Sequence, residues 1–162
     1  MQWLFLFGLA TGLRTMTAMA VLCWYAALGY TPLHGWAFWA GYTASAIVFT
    51  VLAVGEYIGD TLPKTPNRTD KGPAIARLVF GALVGALAAN VIHEPAAGGA
   101  ILGVVGAAIG TWGGIHVRAW LARLFRHDLP AALLESAAAL VLSLAVAHKL
   151  AWAVTILSRW LT

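Results

Sequence analysis

The chain has 162 residues, is 61% hydrophobic and only 10% charged, and has a mean hydropathy of +0.82. A soluble domain of this size needs a largely polar exterior, so this composition excludes one and makes lipid the solvent for most of the surface. The formal charge of +4 does not point to nucleic acid, because the basic residues stand in short connections beside apolar runs, where they act as topology signals and headgroup contacts.

The expected fold is all-α: a polytopic transmembrane helix bundle of about five spans, with broken helices and a short C-terminal sixth element as options. Residues 1–162 read as one membrane domain, with a first helical half at 1–58, a central cytoplasmic loop at 59–72 and a second half at 73–162. The opening MQWLFLFGLA lacks a basic n-region and a cleavage site and reads as the first membrane segment, not as a removable signal. Segment one, about Trp3 to Leu28, is interrupted by TGLRT, which places Arg14 near its middle. A guanidinium at that depth must face the bundle interior, a wet cavity or a carboxylate. Gly8 and Gly12 give a small-xxx-small spacing that serves either close helix packing or a local break lining a site. Cys23 is the one cysteine, which excludes an intrachain disulfide.

The connection GYTPLHG has no Lys or Arg, and segment two follows from about Trp36 to Ile58. At its end Glu56 and Asp60 stand four apart and share a helical face if the helix continues. They can coordinate a cation, accept from arginine, or simply mark a solvated helix end. The loop TLPKTPNRTDKGP contains Arg68 and contacts either substrate or lipid phosphates and neighbouring acids. Segment three runs from about Pro73 to Asn90, with Arg77 one turn inside, free to snorkel or pair, and Gly81 and Gly85 on a packing face. His93 and Glu94 stand together in VIHEPAAGG without further ligands at metal spacing, so neither a metal nor a cofactor is expected.

Segment four, about Ala96 to Phe125, places glycines 99, 103, 106, 110 and 113 at helical spacing and ends in a basic run with Arg118, Arg123 and Arg126. Segment five opens at Asp128, carries Glu135 within apolar surroundings, and is interrupted by His148 and Lys149. The positive-inside rule puts the basic connections at 64–77 and 118–126 in the cytoplasm and, with segment one counted as a crossing, the N-terminus there too. Interrupted apolar segments followed by carboxylate-bearing spans suggest a distant inverted repeat.

The motifs GLRTMTAMA at 12–20, EYIGDTLPKTPNRT at 56–69, ARLVFGALVGAL at 76–87 and DLPAALLES at 128–136 together resemble the bacterial membrane family catalogued as domain of unknown function 4126, over nearly the whole chain. Thr61 stands where the family usually has lysine, and Ser136 where it often has a second acid. The resemblance implies a multi-pass protein of the bacterial inner membrane and supplies no substrate or reaction.

The residues suggest a transporter or permeability protein for a small solute, proton or ion. Arg14, Glu56, Asp60, Arg68, Arg77 and Glu135 are the candidates for the pathway, and membrane lipids and a second copy of the chain are the other expected partners. A structural or interaction role is the alternative. A membrane-embedded enzyme acting on phospholipid or polyprenyl phosphate, with Glu56 and Asp60 holding a divalent cation, is a third reading, although no activated nucleophile or paired acid and base stands out.

Overall fold

The computed structural model describes residues 1–59 and 71–160, the side chains of 128 and 157–160 excepted, and among these residues every regular element is a helix. They are α1 (Gln2–Leu13), α2 (Thr15–Ala27), a 3-10 helix (Gly35–Gly41), α3 (Thr43–Gly59), α4 (Lys71–Val91), α5 (Ala96–Phe125) and α6 (Asp128–Trp160). Among the described residues, three helices are long and apolar enough to cross a membrane: Lys71–Val91, Ala96–Phe125 and Leu129–Ile156. The 3-10 helix and α3, bent by 64° where Tyr42 turns extended, make a fourth if they count as one span. Large apolar side chains such as Val51, Ile101 and Val141 point outward, as they do when hydrocarbon is the solvent. The protein is therefore a membrane-embedded helical bundle. Among the described residues its long helices number three to four, where about five spans were expected.

The glycine spacing of segment four explains the centre of the bundle. A Cβ on Gly8 of α1 would overlap the backbone of Gly103, and one on Gly103 would overlap that of Gly81 in α4. Gly99 meets Gly85 in the same way, while Gly106 and Gly110 lie against Phe5 and Leu9. In lipid no hydrophobic force drives helices together, so this backbone-to-backbone approach is a principal source of attraction. Gly113, expected on the same face, meets nothing within 4 Å; its neighbour Gly114 packs against Leu13 instead.

These contacts also fix directions. α1 runs alongside α5, Gly8 beside Gly103 and Gly12 beside Gly110, whereas α4 runs against α5 through Gly81 beside Gly103 and Gly85 beside Gly99. α3 runs against α4, with Glu56 at Arg77 and Phe49 against Phe80 further along. α2 runs against α3, Met16 at Glu56 and Trp24 at Thr50. It follows that α2 is opposed to α1 and that the chain reverses at Arg14. The connection after α2 accordingly lies beside that between α4 and α5, with the His34 N–H donating to Asn90 and the His34 ring stacked on His93. The interruption seen in the sequence is the tip of a helical hairpin, not a defect within one crossing.

At α6 the sequence options resolve differently. The helix passes through His148 and Lys149 and continues to Trp160, with no separate sixth element among the described residues. Lys149 keeps its ammonium 5.9 Å from the Trp152 ring, a placement that lets the helix continue past the charge. α5 is likewise unbroken over 30 residues, so the interruption of the first segment has no counterpart in the fourth.

Candidate functional site

A chain that reverses between two helices exposes unpaired carbonyls at the end of the first and unpaired N–H groups at the start of the second. Arg14, the only residue between α1 and α2, has extended dihedrals of −141° and 110° and so belongs to neither helix. Both sets of backbone groups are met by charged side chains from elsewhere. Glu56 of α3 accepts the N–H groups of Thr15 and Met16, one on each carboxylate oxygen and both at 3.0 Å. Arg77 of α4 donates through Nη1 to the carbonyls of Gly12 and Leu13, at 2.5 and 3.0 Å. Each charge also has the sign that its helix end favours, negative at the start of α2 and positive at the end of α1.

Arg77 and Glu56 then meet each other, Nη2 to Oε1, at 3.4 Å. The two caps form one unit that ties α3 and α4 to the hairpin tip. Thr111 of α5 adds a hydroxyl directed at the carbonyls of Ala107 and Gly12. Arg14 is 2% exposed, and its guanidinium lies over the Tyr57 ring at 5.1 Å from the centroid. The Tyr57 hydroxyl is 2.7 Å from that of Thr17, closing the cluster on the α2 side.

Of the sequence candidates, the structure brings Arg14, Glu56 and Arg77 together. Asp60 and Arg68 lie outside the described residues. Glu135 is in a neighbouring place on α6, buried, with Oε2 3.8 Å from Arg118 Nη1 of α5. Gly114 separates the two places: a Cβ there would touch both the Leu13 side chain and Glu135 Oε1. The sequence reading missed Tyr57, Thr17 and Thr111, and it gave Arg118 to the headgroups and not to Glu135. For Tyr57 and Thr17, their positions beside Glu56 and Arg14 were the available signal.

The cation-holding role weighed for Glu56 meets unfavourable surroundings, since both of its oxygens face donors and a guanidinium, the opposite of a cation ligand set. No group of three or more His, Cys, Asp or Glu that could hold a metal occurs among the described residues.

The contribution of the aromatic partner can be separated by two substitutions. Tyr57→Phe removes the hydroxyl contact and is expected to cost about 0.5–1.5 kcal/mol. Tyr57→Leu also removes the ring under Arg14 and is expected to cost roughly a further 0.5–2 kcal/mol. Thermal unfolding in one detergent checks the order; equal stability of the two variants would deny the ring a role in holding Arg14.

No family pattern, curated protein or solved structure matches the chain.

Proposed function

We propose that this is a small transporter or permeability protein for an ion or small polar solute. The observation that supports this reading is the reversal at Arg14, which brings two helix ends and the charges of Arg14, Glu56 and Arg77 together inside a membrane-embedded bundle. Interrupted helices whose ends converge on buried charges are a recurrent way of building solute and ion sites in membranes, and ionisable groups at such positions are costly unless they are used. Glu135, across Gly114 from the hairpin, is a second buried acid beside it and is paired with Arg118.

With the resemblance to the unknown-function membrane family, the compartment proposed is the bacterial inner membrane. Keeping the basic connections in the cytoplasm now gives a different orientation for the first segment. As a hairpin it returns to its starting side, which puts the N-terminus opposite the cytoplasm, on the side reached by the end of α6. A second reading, that the charges only hold the fold, draws on the direct pairing of Arg77 with Glu56.

Reconstituted vesicles distinguish the two. In vesicles loaded with a pH-sensitive dye and in electrical recordings with jumps of sodium, potassium, chloride and phosphate, the wild-type protein is expected to give flux for at least one ion. Arg14→Gln and Glu135→Gln are expected to reduce it by about tenfold or more while the protein still assembles. If the wild type carries none of these ions, or the variants fail only by failing to assemble, the structural reading stands.

A further inference from the structure

α1 ends at Leu13, but α5 beside it continues to Phe125. Beyond the hairpin tip, α5 and α6 therefore have no α1 between them, and a groove of about 530 Å³ opens there. Leu9 and Leu13 form one end of it; Leu121 and Leu134 lie along its walls. That volume falls within the range of about 300–1,000 Å³ typical of ligand sites. Its lining is almost wholly apolar, apart from the Arg118–Glu135 pair. Ile109, Val117 and Leu134 at its margins are about half exposed and face the hydrocarbon, so the groove opens onto acyl chains and not onto water.

The charges at its end indicate what sort of chain would stay. Arg118 lines the groove, and Arg123 and Arg126 follow on the same end of α5, where the helix leaves the hydrocarbon. The geometry points to a bound anionic phospholipid, with one acyl chain in the groove between α1, α5 and α6 and its phosphate at the basic end of α5. Arg118 then has two acidic neighbours, the Glu135 carboxylate within the protein and the lipid phosphate beyond it. This assignment does not depend on transport.

Gly113 supplies the test. It lines the groove, and a Cβ there meets nothing within 4 Å, so Gly113→Leu projects a side chain into the space from a position that accepts a Cβ. Ala138→Trp fills it from α6, where Ala138 lines the groove and is exposed. Lipid retained by protein purified in mild detergent is counted by native mass spectrometry, then titrated with phosphatidylglycerol and with phosphatidylethanolamine. The wild type is expected to keep one lipid per chain and to prefer the anionic one at least roughly fivefold, the effect of each arginine near the headgroup. Either filling variant is expected to lower retention about tenfold or more at unchanged assembly. Arg118→Gln, which leaves Arg123 and Arg126 in place, is expected to keep a lipid but weaken the preference. The proposal is overturned if an assembled filling variant holds lipid as the wild type does, or if the wild type prefers neither headgroup. It is also overturned if filling the groove changes the number of chains per particle, since a second copy would then be the occupant.

Discussion

Glu56→Gln is expected to destabilise the bundle by about 3 kcal/mol, the scale found when one partner of a buried ion pair is removed. Glutamine keeps one acceptor oxygen, but its amide nitrogen is a donor, and it would face the N–H of Thr15 or Met16, where the carboxylate now accepts from both. The start of α2 also loses the negative charge that its N–H groups favour. Arg77, 5% exposed, is left buried without the carboxylate that lies 3.4 Å from it. Arg77→Met is expected to cost a similar amount, because the carbonyl of Leu13 loses its donor and that of Gly12 keeps only the longer contact with the Thr111 hydroxyl. Since the two side chains act as one unit, the double variant is expected to cost less than the sum by roughly 0.5–3 kcal/mol. Thermal unfolding of all four proteins in one detergent gives the cycle. A Glu56→Gln protein within about 0.5 kcal/mol of wild type would show that the carboxylate does not hold the tip.

Gly103→Ala carries the other large effect. The added methyl would be forced into the Gly81 carbonyl, and the clash is with backbone, so no side-chain rotation relieves it. Separating α4 from α5 also disturbs α1, because the Gly8 position abuts the Gly103 backbone on another side. A loss of about 1–3 kcal/mol or more is expected for alanine, and failure to assemble for Gly103→Leu. Gly98, five residues earlier on the same helix, is the control: a Cβ there meets nothing within 4 Å. Gly98→Ala is expected to be neutral or to stabilise by up to about 1 kcal/mol through helix propensity. Equal outcomes at the two positions would mean that the close approach of α4 and α5 does not determine stability.

Much of this architecture could be read from the residues alone. The bounds of α5 follow from Pro95 before it and the basic run at its end, and its glycine periodicity announced a helix pressed between others. Arg14 was legible as an interruption because a charge within an apolar run has few places to go. The reversal was not legible. Hydropathy records how apolar a stretch is but carries no direction, and what turns the chain is a pair of caps supplied by Glu56 and Arg77, 40 to 65 residues away. The same limit applies to Glu135: the sequence required it to have surroundings suited to a charge, while its contact with Arg118 depends on α5 and α6 packing side by side. The bend at Tyr42 was missed because the apolar run from Trp36 continues across it with little change in composition.

The hairpin also bears on biosynthesis. α1 and α2, of 12 and 13 residues, are each shorter than the roughly 20 residues that span a bilayer alone. Their tip holds Arg14, whose Tyr57 companion is made later, and the glycine surface that receives α1 belongs to α5, later still. The hairpin is thus made before the helices that receive it, and seating it at its final depth is expected to be a docking step that waits for the long helices.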